Sequence, residues 1–177
     1  VMNMYKEHPY PKWKGIYYLP SEINVYQTYY DKDLTEKNDP NIQKEILIAG
    51  CGTGQELVTA SKIYSNSNIT AIDISLPSLC YAYKRAKDND VNNFELIHMD
   101  LLELINFEKK FDIINCSGVL HHMNDPELGL KALISCLKED GYLNIGLYSR
   151  VARENITKLR KLILENNLNN TQESITK

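Results

Sequence analysis

The sequence lacks the features of several protein classes. It has no basic surplus, since 20 lysines and arginines stand against 23 aspartates and glutamates, and nucleic-acid-binding domains usually carry such a surplus. It has no apolar run near the ~20 residues that a membrane-spanning helix needs. No charged-then-apolar leader opens it. We therefore expect a cytoplasmic protein that binds neither nucleic acid nor a membrane.

Cysteine is scarce and widely spaced. The four cysteines are Cys51, Cys80, Cys116 and Cys136, and none forms the C-x-x-C pair typical of zinc sites. This spacing predicts reduced, mostly buried thiols and no metal. The rest of the composition is that of a folded protein. With 177 residues, 43% hydrophobic and 24% charged, the chain suits one domain with a core.

The first forty-odd residues differ from the rest. Seven of the 12 tyrosines and three of the six prolines precede residue 31, and the prolines interrupt any long helix. We predict an irregular extension over residues 1–44, with a short helix near residues 23–30 and a polar linker over residues 31–41. Two interpretations stay open: the extension folds over a ligand as a lid, or it packs on the outside of the core.

A regular alternation of strands and helices follows. Apolar and β-branched runs predict strands over residues 44–49, 68–74, 94–98, 111–116 and 142–148. Helices are predicted over residues 55–64, 76–89, 101–105 and 126–140, with Ser75 and Asp125 as N-caps, Gly141 as a stop and a final amphipathic stripe from Ala152 to Ile163. This order predicts a doubly wound, mainly parallel α/β sheet over residues 45–166 and a disordered tail over residues 167–177.

A glycine-rich loop follows the first predicted strand. Gly50, Gly52 and Gly54 let the backbone turn tightly and a ligand approach it. The helix start behind them favours a carboxylate or phosphate; the alternative is a plain tight turn. A nicotinamide fingerprint requires G-x-G-x-x-G with a small third residue. The third position here is Gln55 or Leu57, which weakens that interpretation.

Acidic residues end the second and third predicted strands. Asp73 lies about twenty residues beyond the loop, where a carboxylate accepts hydrogen bonds from ribose hydroxyls; the alternative is a cap for the next helix. Asp100 is placed to accept from an exocyclic amine, and the N–H of Leu101 to meet a ring nitrogen, as adenine requires. Asp100 as an N-cap is the alternative, and both roles are compatible.

Two histidines follow the fourth predicted strand. His121 and His122 are candidates for a base, a metal pair or a pocket wall. Adjacent side chains are expected to diverge, so we assign no metal to them. One of them is our candidate for a substrate contact.

Four segments together resemble the class I S-adenosylmethionine-dependent methyltransferases. They are Ile46-Leu47-Ile48-Ala49-Gly50-Cys51-Gly52-Thr53-Gly54, Ala71-Ile72-Asp73, Met99-Asp100 and Phe111-Asp112-Ile113-Ile114. The block from Cys116 to Pro126 is similar to the segment after the fourth motif in many of these enzymes. The resemblance implies a Rossmann-like fold, S-adenosylmethionine as cofactor and S-adenosylhomocysteine as product.

The resemblance also implies roles for individual residues. The glycine loop would line the methionine and ribose parts of the cofactor, Asp73 would hold the ribose and Ile74 would pack on the adenine. Asp100 and Leu101 would read the adenine edge. The remaining cofactor-binding candidates are Cys51, within the loop, and Cys116, whose carbonyl would meet the methionine amino group.

The sequence departs from the family in two respects. The family often has an acid two residues before the first glycine, where this chain has Ile48. The family also has seven strands, of which five are placed here, so we expect a core from a longer protein. Pro9-Tyr10-Pro11-Lys12-Trp13 resembles a stretch in bacterial methyltransferases joined to tetratricopeptide repeats, which implies an upstream repeat domain.

The implied reaction is an in-line methyl transfer to a small-molecule or protein acceptor. Such a reaction depends mainly on holding donor and acceptor together, and it requires a base, for which His121 or His122 is the candidate, only if the acceptor is protonated. Two alternatives remain. One is a cofactor-binding domain or fragment that is catalytically incomplete, and the other is a nicotinamide-dependent oxidoreductase.

Overall fold

The computed structural model describes residues 12–13, 42–149 and 151–166. The strands are β1 (Glu45–Ala49), β2 (Asn68–Asp73), β3 (Phe94–His98), β4 (Phe111–Ser117) and β5 (Leu137–Gly146). The α-helices are α1 (Gln55–Ile63), α2 (Leu76–Asp88), α3 (Pro126–Ser135) and α4 (Glu154–Glu165), and two 3₁₀ helices span Leu101–Asn106 and Leu120–His122.

The five described strands form one sheet in the order β3-β2-β1-β4-β5. Each neighbouring pair is parallel, so the predicted doubly wound fold is confirmed. The chain winds outward from β1 in both directions, first to β2 and later to β4. The point where the direction reverses lies between β1 and β4, and ligands of such sheets bind beyond the strand ends there.

The central strand β1 is buried on both faces. Ile46 and Ile48 pack in one cluster with side chains of α1 and α2. Leu47 and Ala49 pack in a second cluster with α3 and the 3₁₀ helix Leu101–Asn106. Side chains of a strand alternate between its two faces, and both faces here are covered by helices. This double burial explains the uninterrupted apolar run of β1.

Side-chain caps fix the starts of two helices as predicted. The hydroxyl of Ser75 accepts a hydrogen bond from the backbone N–H of Ser78 at 3.3 Å, at the start of α2. The carboxylate of Asp125 accepts from the N–H groups of Glu127 and Leu128 at 3.0 and 3.1 Å, at the start of α3. Each cap provides a partner for N–H groups that lack one within the helix.

The prediction of Gly141 as a helix stop is wrong. Helix α3 ends at Ser135, and β5 begins at Leu137 rather than at residue 142. Gly141 lies within β5, where the pairing with β4 shifts between Phe111 and Ile113. A Cβ atom on Gly141 would lie 3.0 Å from the carbonyl oxygen of Asp112. The glycine therefore permits close contact between two strands and does not cap a helix.

The chain divides into two compact units, Val1–Gly146 and Leu147–Lys177. In the second unit, Ile156, Leu159 and Ile163 lie on α4 and are exposed, whereas Ala152 precedes the helix that was predicted to include it. The helix predicted near residues 23–30, the linker over residues 31–41 and the tail over residues 167–177 lie outside the described residues. Of the described helices, none is long and apolar enough to cross a membrane.

Ionic contacts hold the amino ends of the central strands. The Asp112 carboxylate on β4 accepts from the backbone N–H of Glu45 at 2.8 Å and from the Lys138 ammonium at 2.8 Å. Burial alone raises the pKa of Asp112, but these hydrogen bonds outweigh it and the pKa lies below its ordinary value. The charged carboxylate therefore stabilises the junction of β1, β4 and β5.

Asp112→Asn is expected to lower the free energy of unfolding by about 1 kcal/mol at neutral pH, because the contact is partly exposed. The depressed pKa means that the contribution is present above the unfolded-state value near 3.8. It is lost as the pH falls through the folded-state pKa. Urea unfolding between pH 7 and pH 2 checks this, with the exposed Glu139→Gln as the control. An equal loss at both ends of this range would contradict the prediction.

Candidate functional site

The glycine loop after β1 has a left-handed backbone. The φ angles of Gly50, Gly52 and Gly54 are +74°, +52° and +83°, a region that other residues adopt at a cost. The N–H groups of Gly50 and Cys51 donate to the carbonyl of Ile72 at 2.9 and 3.0 Å. The loop is therefore tied to the end of β2 while it turns into α1.

Two of these glycines also lie against neighbouring segments. A Cβ atom on Gly50 would lie 2.2 Å from a methyl group of Val119, which follows β4. A Cβ atom on Gly54 would lie 2.7 Å from the Cβ of Ala82 and 2.9 Å from its Cα, on α2. The loop thus packs without side chains between α2 and the segment after β4.

Asp73 joins this loop to the next strand-helix turn. One carboxylate oxygen accepts from the N–H of Gly52 at 2.8 Å, and the other accepts from the N–H of Ser75 at 2.8 Å. Asp73 and Ser75 therefore both serve the start of α2. A carboxylate offers about four acceptor positions, so two hydrogen bonds leave Asp73 able to accept from a ligand.

The end of β3 lies beside Asp73. The N–H of Met99 donates to the Asp73 carbonyl at 3.2 Å. Asp100 caps the following 3₁₀ helix: its carboxylate accepts from the N–H of Leu102 at 2.9 Å, and its own N–H donates to Glu103 at 2.9 Å. The capping alternative for Asp100 is thus confirmed. Near this edge Ile74 exposes 40% of its surface, which leaves an apolar face for a ligand.

A cavity of about 440 Å³ lies at the carboxyl ends of β4 and β5. Its lining residues come from α1 and from the two strand ends and are Glu56, Asn115, Cys116, Ser117, Leu143, Asn144, Ile145 and Gly146. The side-chain amide of Asn144 donates to that of Asn115 at 2.9 Å. The cavity therefore has a polar wall on the strand side and a carboxylate on the helix side.

Burial shifts the pKa values of ionisable side chains at the cavity and in the loop. Burial, with a smaller contribution from Glu56, raises the pKa of the Cys116 thiol to about 12, so this thiol is neutral near pH 7. Burial also raises the pKa of the Glu56 carboxyl. Cys51, in the loop, is buried and its pKa is raised by burial and by Asp73. Both thiols are therefore protonated near pH 7 and do not act as nucleophiles.

Sequence reasoning did not identify Glu56. It lies in the first turn of α1, where an acid is normally explained by the helix dipole. Its position relative to β4 and β5 depends on how α1 packs on the sheet. The buried pair Leu57 and Val58 marks the core-facing side of α1, whereas Ile63 is exposed. This pattern does not place the first turn of the helix beside a cavity.

The two candidate histidines lie on the 3₁₀ helix Leu120–His122. Their ring centroids are 4.3 Å apart with a tilt of 59°, so the expectation that the side chains diverge is wrong. The residues that line the cavity include neither His121 nor His122. Within residues 12–13, 42–149 and 151–166, no group of three or more histidines, cysteines or acids is arranged to hold a metal.

Residues 42–176 match a family model described as a methyltransferase domain. The chain belongs to this methyltransferase family. The resemblance to class I S-adenosylmethionine-dependent methyltransferases is thereby confirmed. The family uses S-adenosylmethionine as its methyl donor.

Curated relatives share this part of the sequence. An uncharacterized protein of Synechococcus is 38% identical over 119 residues, which are 67% of this chain and 28% of the relative. The ubiquinone biosynthesis O-methyltransferase of Glaesserella parasuis is 31% identical over 68% of this chain and 52% of its own length. The chain thus spans about half or less of these relatives.

Solved structures share the fold. PKMT2 from Rickettsia typhi in complex with AdoHcy superposes with a TM-score of 0.63 at 23% identity, covering 75% of this chain and 27% of that one. A methyltransferase from Geobacter sulfurreducens in complex with S-adenosylhomocysteine gives 0.54 at 22% identity, covering 64% and 45%.

Gly54→Ala is expected to lower the free energy of unfolding by about 2–4 kcal/mol, combining the left-handed backbone with crowding against Ala82. Gly118→Ala is the matched control, since its φ is +76° and a Cβ there would meet nothing within 4 Å. The control should lose only about 1–2 kcal/mol. Urea unfolding of both variants checks this. Equal losses would show that the contact between the loop and α2 is not tight.

Proposed function

We propose that the chain binds S-adenosylmethionine across the carboxyl ends of β1, β2 and β4 and supports methyl transfer to a small-molecule or protein acceptor. The observation that carries this proposal is the hydrogen bond between the Asp73 carboxylate and the N–H of Gly52, at 2.8 Å. It places a carboxylate with spare acceptor positions directly beside a glycine-rich loop. A nucleoside ribose needs that combination.

The residues present fit the cofactor. The loop offers main-chain contact for the methionine and ribose parts, and Asp73 accepts from the ribose hydroxyls. Ile74 offers an apolar face to the adenine. The Asp100 carboxylate caps the 3₁₀ helix and is also assigned to the exocyclic amine, because a carboxylate has about four acceptor positions. The N–H of Leu101 is assigned to a ring nitrogen.

Glu56 is the group we assign to the ammonium of the methionine part. Ile48 occupies the position where the family often has an acid, and it is fully buried in the core. The cavity brings Glu56 beside Cys116, whose carbonyl is the other assigned partner of the ammonium. A partly buried carboxylate whose pKa is raised by desolvation is stabilised by a cationic partner.

The catalytic contribution of this chain is mainly positional. Bound S-adenosylmethionine supplies an activated methyl group on a sulfonium. The loop, Asp73 and Glu56 fix the donor at several points, and such alignment can supply roughly 7–11 kcal/mol. The neutral Cys116 thiol does not compete for the methyl group. His121 and His122 remain the candidate bases for an acceptor that must lose a proton.

Binding without catalysis is the second candidate function. The observation in its favour is that both candidate bases lie outside the residues that line the cavity. Two relatives are named as O-methyltransferases of ubiquinone biosynthesis and of malonyl-[acyl-carrier protein], so the acceptors to be screened include free small molecules and groups carried on a protein. A screen for transfer of radiolabelled methyl groups to extracts of small molecules and of proteins separates the two functions.

Asp73→Ala is expected to weaken binding of S-adenosylhomocysteine by about 1.5–3 kcal/mol, as for hydrogen bonds to a charged group. Isothermal titration calorimetry checks this, with Asp125→Ala as the control because Asp125 caps α3 in a similar way. Thermal unfolding of the ligand-free variant measures the stability lost with the hydrogen bond to Gly52, so that this loss can be separated from the loss of ligand contacts. An unchanged affinity of Asp73→Ala for S-adenosylhomocysteine would contradict the proposal. Tight binding of NAD by a wild type that does not bind S-adenosylhomocysteine would contradict it as well.

Glu56→Gln is expected to weaken S-adenosylhomocysteine binding by about 10- to 100-fold. Binding of 5′-methylthioadenosine should not change, because this ligand lacks the ammonium. In the wild type the affinity for S-adenosylhomocysteine should fall as the pH decreases through the raised pKa of Glu56, whereas the variant should show a flat profile. Equal losses for both ligands would instead indicate damage to the loop.

A further inference from the structure

The sole tryptophan of the chain contacts the glycine loop. Trp13 lies 40 residues before Thr53 in the sequence, yet its indole N–H donates to the Thr53 carbonyl at 3.1 Å. Its side chain is 7% exposed, whereas the neighbouring Lys12 is exposed. A residue of the N-terminal extension is thus part of the core of the first unit.

The accepted carbonyl is at a sensitive point of the loop. Thr53 is fully buried and lies between Gly52 and Gly54, both with positive φ. Glycines leave a chain many conformations, so a loop rich in them needs external contacts to keep one of them. The indole provides such a contact to the peptide group between the two glycines.

The indole is itself fixed by packing. Trp13 belongs to the cluster that contains Cys51, Leu57 and Val58, on the α1 side of the sheet. The guanidinium of Arg85, on α2, lies 4.3 Å from the ring centroid, within the range of a cation–π interaction. Ala82, one turn earlier on α2, is the residue against which Gly54 packs. Trp13 therefore supports the loop where the loop meets α2.

Two neighbouring parts of the loop are thus held by different residues. The N–H of Gly52 is held by Asp73, the proposed ribose ligand, and the carbonyl of Thr53 is held by Trp13. The two contacts are made by consecutive residues, Gly52 and Thr53. A shift of the Thr53 carbonyl would therefore rotate the peptide groups that position Gly52 against Asp73.

We propose that Trp13 is a positioning residue for the cofactor site, so that docking of Trp13 and binding of the cofactor stabilise each other. This inference rests on the proposed function, because it takes the glycine loop as the cofactor loop. It assigns to Trp13 a supporting role at the loop. Such coupling is reciprocal: if docked Trp13 raises the affinity for the cofactor, bound cofactor stabilises the docked position of Trp13 by the same free energy.

The test uses the full chain with Trp13→Phe, which keeps an aromatic ring near Arg85 and removes the N–H donor. Val91→Ala is the matched control, because Val91 is buried in the same cluster between α2 and β3. Affinity for S-adenosylhomocysteine should fall about tenfold in Trp13→Phe, as for one buried hydrogen bond. It should stay within about twofold of the wild type in Val91→Ala.

A second measurement is independent of ligand binding. Hydrogen exchange at the Gly54 amide, which donates to the Cys51 carbonyl at 3.0 Å, should be several-fold faster in Trp13→Phe than in Val91→Ala, each compared with its own global unfolding. In the wild type, acrylamide quenching of the single tryptophan should decrease when S-adenosylhomocysteine binds.

The outcomes separate the two claims. Unchanged exchange at Gly54 in Trp13→Phe would overturn the positioning role, whether or not the ligand binds. If the wild type binds S-adenosylhomocysteine and Trp13→Phe binds it with the same affinity, the positioning role is overturned as well. Absence of S-adenosylhomocysteine binding by the wild type, with faster exchange in the variant, would instead overturn the proposed function and leave the structural role of Trp13 supported.

Discussion

The hydrogen bond from the N–H of Gly52 to the carboxylate of Asp73 is the contact on which the rest of the site depends. It joins the first strand-helix turn to the second, and the carbonyl of Ile72 reinforces the junction through Gly50 and Cys51. A loop with three positive φ angles has little intrinsic preference for one shape. The shape is imposed by neighbours, and one of them, Asp73, is also the proposed ribose ligand.

The parts of the fold that follow from local chemistry were predictable. β3 has the bounds that its residue pattern predicts, and β1 begins one residue later than expected. The caps Ser75 and Asp125 were identified because a hydroxyl or carboxylate before a proline-led helix has a local function. Double burial of β1 between two helical layers makes its apolar run unambiguous. The capping interactions lie within a few residues along the chain, and the apolar run of β1 is itself a local pattern.

The errors and omissions occur where tertiary contacts decide. Gly141 has the features of a helix stop, but its function is to bring β5 close to the Asp112 carbonyl. Glu56 has the features of a helix-dipole acid, but it lines a cavity with residues that lie 59 to 90 positions later in the sequence. Trp13 contacts Thr53 across 40 residues. No periodicity encodes these separations, since they depend on how α1 and β5 pack on the sheet.

The electrostatics of the cavity connect these observations to ligand choice. Partial burial of the Glu56 carboxylate without a cation carries a free-energy cost, and the raised pKa of Glu56 expresses that cost. Burial likewise keeps the Cys116 thiol protonated, so among the residues that line the cavity Glu56 is the one that can carry a negative charge. A cationic amino group recovers the lost solvation of Glu56, whereas an anionic group at the same position would add repulsion. On the proposed assignment of Glu56, the cavity takes the ammonium end of an amino-acid-bearing nucleoside. The phosphates of a dinucleotide would meet repulsion there.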